Sequence, residues 1–222
     1  MSNLFSADIW ALIGEGLLDS LYMTLVSTLI AYIIGLPLGV LLVVTDKNGI
    51  YPIPTLNAVL GAIVNVFRSV PFLILLVTLL PFTRFIVGTT IGSTATIVPL
   101  VIGSAPFIAR LVESSIKEVD NGVIEAAQSM GASTFQIIWR VMLPEARPSL
   151  IVGSAIAITT ILSYSALAGF VGGGGLGDIA TKYGYYRYQY DIMIVTVILL
   201  VIIVQIFQEL GTRIAKRCDK RN

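Results

Sequence analysis

Leu21 to Thr45 contains no charged residue, and a helix of that length exceeds what is needed to cross about 30 Å of hydrocarbon at about 1.5 Å per residue. The run is repeated. Leu56 to Phe82 carries only Arg68, Ile91 to Val112 only Arg110, and Leu150 to Val171 and Ile192 to Gln208 carry no charge. With 56% hydrophobic residues, 12% charged and a mean hydropathy of +0.90, the chain departs from soluble composition, where about a quarter of residues are charged. The pattern predicts an all-α integral membrane protein with five transmembrane helices, at about 21–45, 56–82, 91–112, 150–171 and 192–210. Pro37, Pro71, Pro99 and Pro106 lie in these runs, where neighbouring helices and hydroxyls can satisfy the freed backbone groups. The first run reads as a retained helix, because MSNLFSADIW has no basic n-region and the run is longer than a signal-peptide core.

Basic residues set the expected direction. Lys47, Arg110, Lys117, Arg140, Arg147, Arg213, Lys216, Arg217, Lys220 and Arg221 would share one side, against Arg84, Lys182 and Arg187 on the other. The basic side is the cytoplasmic one. This places the N-terminus outside, the C-terminus in the cytoplasm and residues 113–149 in a cytoplasmic loop. It also divides the chain into an extracytoplasmic segment 1–16, a transmembrane domain 17–210 and a basic cytoplasmic tail 211–222. The net charge of +1 gives no indication of nucleic-acid binding.

Several chemistries are excluded or weakened. There is no histidine, and Cys218 is the lone cysteine, so His-based catalysis, His metal sites and an internal disulfide are all ruled out. No carboxylate falls inside the five apolar runs, the last of which stops at Gln208; one within them would mark a proton or ion relay. Neither catalytic residues nor metal ligands are assigned. GFVGGGGLGDIA, Gly169 to Ala180, contains G-x-G-x-x-G at Gly172, Gly174 and Gly177. It follows a membrane span rather than a strand, so it does not read as a nucleotide fingerprint. It is either a flexible turn or a place where backbones approach closely as a pore shuts.

The loop ESSIKEVDNGVIEAAQSMGASTFQIIWRVMLPEARPS reads as two short helices. Asp120 or Asn121 can cap the first, which should stop at Gly131 in the left-handed conformation. Ser133 with Gln136 forms a capping-box start for the second, bounded by Pro144 and Pro148. Such a hairpin could lie on lipid headgroups, or it could present the narrow Glu125-Ala126-Ala127 surface to a partner's cleft.

Glu125-Ala126-Ala127, three residues, Gly131, then eleven residues and Leu143-Pro144 resembles the EAA loop of binding-protein-dependent ABC importer permeases. Val141 stands where isoleucine is usual. The resemblance covers about residues 17–210. FRSVPFLILLV, PFTRFIVGT, APFIARLVE and GGGGLGDIATKYGYYRY are similar to the methionine-importer branch. The resemblance implies a type I ABC importer permease-like fold in the bacterial plasma membrane, with a cytoplasmic coupling helix between spans 3 and 4. It implies a second copy of the chain, two ATP-binding subunits holding ATP and Mg, and an extracytoplasmic substrate-binding protein. The cargo would be an amino acid, methionine first, with another amino acid, a dipeptide or an osmoprotectant as alternatives. No cofactor is expected on this chain. Glu125, Ala126, Ala127 and Gly131 would dock on the ATPase subunit. Helix diameter agrees with pairing, since five helices of about 10 Å leave little interior for a protein-lined passage. A stand-alone secondary carrier or channel would need ion-coupling charges or repeated broken helices, which the sequence does not clearly carry. A membrane anchor or scaffold is a further rival.

Candidate pathway or gate residues are Arg68, Ser163, Tyr164 and Ser165. An arginine inside a span costs roughly 2.5–3.5 kcal/mol on insertion scales. Pro71 cannot bond the Phe67 carbonyl, so a kink is expected beside Arg68. Arg68 either faces the pathway, meeting a carboxylate or gate group, or makes a structural contact. Gly153, Ala157, Ser165 and Gly169 form a small-residue series that could pack helix four at a dimer centre or simply within the chain. Tyr183, Tyr185, Tyr186, Tyr188 and Tyr190 read as an interfacial belt, or with Lys182 and Arg187 as a receiving surface for the binding protein.

Overall fold

A computed structural model describes residues 7–218, and every regular element among them is helical. The order is α1 (Ala7–Val44), α2 (Pro54–Ser69), α3 (Phe72–Thr78), α4 (Leu80–Val87), α5 (Ser93–Lys117), α6 (Asn121–Ser129), α7 (Thr134–Ile137), α8 (Leu143–Glu145), α9 (Arg147–Ala168), α10 (Gly175–Ile179) and α11 (Tyr190–Cys218). π-helical turns at Ile138–Met142 and Ala180–Tyr185 extend α7 and α10. Among the described residues four stretches are long and apolar enough to cross a membrane, and a fifth if a bent pair counts as one span.

That pair replaces the continuous second helix expected over 56–82. α2 and α3 meet at a bend of 97°. Pro71 has no amide to donate, and the residue before a proline is driven from helical geometry, so the chain turns extended at Pro71 (φ −57°, ψ 132°). A kink was legible; the break is sharper. Other helices overrun their predicted limits. α1 takes in residues assigned to an N-terminal segment, and α11 continues into the predicted tail as far as Cys218. Residues 1–6 of that segment, and Lys220 and Arg221 of the tail, lie outside the described residues. Because α5 runs on to Lys117, Glu113 sits within a helix and is buried, which corrects the reading that carboxylates stay in loops.

The chain divides into two compact units. One comprises residues up to 30, 70–104 and 158–208. Its core joins Ile13, Leu162, Leu176 and Ile203, with Leu17, Leu21, Leu200 and Phe207 packed around them. The glycine run closes this unit. Gly172, Gly174 and Gly175 have positive φ, open to glycine without strain. A Cβ on Gly177 would strike the Ala166 backbone, and one on Gly169 the backbone of Gly177 and Asp178. The Leu176 amide donates to Ser20 Oγ at 2.8 Å. The run is a fixed, close-packed turn within the chain.

The other unit comprises residues 31–69, 105–157 and from 209 onward. α1 meets α5 through Gly35 and Gly39, where a Cβ would come within 2.8 Å of the Ala105 carbonyl oxygen and 2.6 Å of that of Ala109. This small-x-x-x-small spacing lets backbones approach. Leu42, Val64 and Ala109 form the adjoining core with Leu38 and Leu60. α1 ends where Asn57 Nδ2 donates to the Leu42 carbonyl at 2.6 Å and Thr45 Oγ1 to that of Leu41 at 2.7 Å.

Candidate functional site: the loop after α5 and two arginines

The loop after α5 is rigidly built. Asp120 Oδ1 accepts from the Gly122 amide at 2.7 Å and caps α6. At its other end Gly131 has φ +77°, with its amide donating to the Gln128 carbonyl and the Ala132 amide to that of Ala127. These two bonds define a Schellman motif. Ser133 and Gln136 then bond reciprocally as a capping box, which starts α7 as its sequence requires. The helical stretch that begins with α7 runs through Pro144 to Glu145, and after the turn residue Ala146 α9 starts with Pro148 in its first turn, so the second loop helix ends between the two prolines.

This architecture separates the residues singled out from sequence. Glu125 and Ala126 are exposed, whereas Ala127 is only 4% exposed and packs inward, as do Val119, Ile137 and Met142. Ala127 therefore holds the hairpin in place and offers no outward surface. Glu125 lines a polar cleft of about 690 Å³ with Asp46, Lys117 and Gln128. The outward apolar groups are ones the sequence reading passed over: Met130, 81% exposed, with Val123, Phe135 and Trp139. Phe135 and Trp139 are ring neighbours, 6.1 Å apart. Their spacing of four residues, on a solvated loop already read as helical, was the available signal.

Below the cleft a row of charges braces the unit. Arg110 pairs with Glu113 and reaches α2, donating to Asn65 Oδ1 at 2.8 Å and the Gly61 carbonyl at 3.3 Å. Glu113 also receives Lys117 at 2.9 Å, and Lys117 in turn pairs with Asp46 at 3.0 Å. Burial of Glu113 between two cations satisfies its oxygens.

The candidate pathway residues belong to different units of the chain, Arg68 to one and Ser163, Tyr164 and Ser165 to the other. Arg68 stands exposed in the last turn of α2 and makes no hydrogen bond or ion pair with another described residue, so the structural contact weighed for it is not supplied by the described chain. On α9, Ser163 is exposed and donates to the Thr159 carbonyl, Tyr164 stacks on Phe72, and Ser165 is buried and donates to the Leu162 carbonyl. Ser163 borders an apolar cleft of about 760 Å³ with Leu167, Phe170 and Met193. Gly153, Ala157, Ser165 and Gly169 are all buried within the chain, so their small size serves internal packing. Tyr185, Tyr186, Tyr188 and Tyr190 are exposed, while Arg187 lies over the Tyr183 ring at 4.6 Å and Lys182 pairs with Asp178 at 2.7 Å. Among the described residues no group of acidic residues and cysteine could hold a metal ion.

Residues 35–220 match the family described as binding-protein-dependent transport system inner membrane component. The probable D-methionine transport system permease protein MetI of Vibrio cholerae is 52% identical over 203 residues, 91% of this chain and 90% of that protein. The methionine import system permease protein MetP of Bacillus subtilis is 48% identical over 82% of each. A chain of the MetNI methionine ABC transporter, solved in inward-facing conformations, superposes with a TM-score of 0.96 at 47% identity, covering 97% of this chain and 100% of that one. An amino acid ABC transporter solved with histidines shares the fold, with a TM-score of 0.79 at 22% identity over 98% and 99% of the two chains.

Proposed function

Since the chain belongs to the family of binding-protein-dependent transport system inner membrane components, we infer that it is the pore-forming subunit through which methionine enters the cell. It is a permease subunit of an ABC importer and not itself an enzyme. The observation that supports methionine as cargo is the near-complete superposition on a methionine transporter chain at 47% identity.

In this reading two copies pair, and two ATPase subunits hold ATP and Mg beneath them. A substrate-binding protein delivers cargo from outside. The N-terminus lies outside, the C-terminus and the 113–149 loop inside, in a bacterial plasma membrane. ATP closes the ATPases, the paired α6 helices move together, and the spans alternate between inward-open and outward-open states. Glu125, Ala126 and the Schellman turn at Gly131 form the docking edge, and Met130, Phe135 and Trp139 give it apolar area. Ala127 supports it from within. The exposed tyrosines form the outer interfacial belt.

The test is reconstitution in proteoliposomes with the ATPase and binding protein. ATP-dependent uptake of radiolabelled methionine is the expected result. Uptake by the permease alone, driven by an ion gradient, would replace this reading with that of a secondary carrier.

A further inference from the structure

We propose that the cleft where α5 and α11 end and α9 begins holds the headgroup of a zwitterionic phospholipid with a primary ammonium, phosphatidylethanolamine. This goes beyond the importer reading and needs only that the helices span a membrane. The cleft has a volume of about 410 Å³, within the roughly 300–1,000 Å³ of small-molecule sites, and all its lining residues belong to the second unit. Val152 lies inside the apolar run that begins at Leu150, while Glu145 precedes that run and Glu118 follows the one that stops at Val112. At about 1.5 Å per residue, the two carboxylates stand about 8–9 Å outside the runs, close to the depth of the polar layer, about 5–8 Å on each side of the hydrocarbon. The cleft thus spans the level where acyl chains give way to headgroups.

Its charges are set out for an occupant that carries both signs. Glu118, Glu145 and Lys216 are exposed, and none forms an ion pair with another described residue although opposite charges line one cleft. Nearby, in contrast, Lys117 finds both Glu113 and Asp46. A zwitterion satisfies both signs at once. The wall adds a neutral donor. The Ser149 and Ser115 hydroxyls bond to each other at 3.1 Å, which uses one of their two protons. The other has no acceptor among the described residues, although Ser115 is only 4% exposed and lines the cleft. A phosphate oxygen supplies that acceptor, so Lys216 and the serine pair take the phosphate while Glu118 and Glu145 take the ammonium. Val152 and Ile156, exposed and one turn apart on α9, continue the cleft into the apolar run beneath the acyl chains.

Headgroup selectivity follows from donor chemistry. A primary ammonium offers three N–H donors to the carboxylates, whereas the trimethylated ammonium of phosphatidylcholine offers none. Phosphatidylglycerol carries no cation and brings a net negative charge to two carboxylates. A free zwitterion such as phosphoethanolamine shares the charges but has no chains to lie along Val152 and Ile156.

Native mass spectrometry of the delipidated permease–ATPase complex, given equal amounts of phosphatidylethanolamine and phosphatidylcholine with the same acyl chains, tests this. Wild type should retain phosphatidylethanolamine by roughly tenfold over phosphatidylcholine, and excess phosphoethanolamine should not displace it. The double variant Glu118→Gln, Glu145→Gln should bring the two lipids to parity. Lys216→Met should weaken both and leave their ratio unchanged, because the phosphate is common to them. Thermal unfolding of each complex shows that the variants are folded. The proposal is overturned if wild type shows no preference, if phosphoethanolamine displaces the lipid, if the folded double variant keeps the preference, or if Lys216→Met leaves retention of both lipids unchanged. The wild-type comparison needs no variant. Failure of an ATPase subunit to co-purify would instead strike the importer reading, and the lipid comparison would then be made on the permease by itself.

Discussion

Lys117 Nζ lies 3.0 Å from Asp46 Oδ2, tying the end of α5 to the turn that follows α1. The hydrogen bond from Lys117 is the main cause that holds the Asp46 carboxyl below the usual carboxylate range; burial opposes it, and the lysine charge and the Asn48 and Lys47 amides add to the lowering. The stability gained is complete above the unfolded value near 3.9 and is lost as pH falls through the lower folded value. Both side chains are partly exposed, so the effect is small. Thermal unfolding in detergent should show Asp46→Asn melting about 1–3 °C below wild type near pH 6, with the difference shrinking toward pH 3.

Glu113 carries more of the brace, because it accepts from both Arg110 and Lys117. Glu113→Gln keeps the shape but leaves two cations facing a neutral amide. The variant should be destabilised by about 1–3 kcal/mol, the partial exposure of the cations limiting the loss. Unfolding midpoints measured against urea or heat would show it, and Arg110→Met together with Glu113→Gln should cost less than the sum of the single changes.

Glycines in similar-looking runs should respond oppositely. A Cβ at Gly177 meets the Ala166 backbone, whereas one at Gly14 meets nothing within 4 Å. Gly177→Ala should cost at least the 1–3 kcal/mol typical of overpacking, since backbone cannot step aside as a side chain can. Gly14→Ala in α1 should be neutral or stabilising by about 0.5–1 kcal/mol. The yield of monodisperse protein and its melting temperature separate the two.

These contrasts mark what could be read from the chain. The helical class followed from runs such as Leu21 to Thr45, and the loop's punctuation from Asp120, Gly131 and the Ser133–Gln136 pair, because capping chemistry is local. Pro71 signalled disruption but not its size, since a proline in a membrane helix is compatible with anything from a gentle bend to a break. The role of Ala127 escaped for a different reason: which side of a short helix is buried depends on what packs against it. Glu113 was missed because the apolar run stops at Val112 while α5 continues to Lys117. The small residues of α9 gave no direction either, as close packing within one chain and between two chains demand the same size.

Gly131 and Met130 divide shape from contact at the loop tip. Gly131 holds φ +77° with open space around it, so Gly131→Ala should loosen the turn by about 1–2 kcal/mol through strain alone. Gly131→Pro also removes the amide that bonds Gln128. It should assemble poorly with the ATPase or hydrolyse ATP without uptake. Met130→Glu leaves the turn intact and changes only an exposed surface. Its purified permease should melt with wild type yet recover less ATPase on co-purification.

The most direct measurement is thiol cross-linking at the tip of the coupling hairpin. Cys218 is the chain's lone cysteine, so Met130→Cys on a Cys218→Ser background gives one reactive position. With a short bifunctional thiol reagent, the account predicts a product joining permease and ATPase subunit, changing in yield when ATP is bound. Labelling of that position by a membrane-impermeant maleimide in right-side-out vesicles, with no such product in the assembled complex, would contradict it.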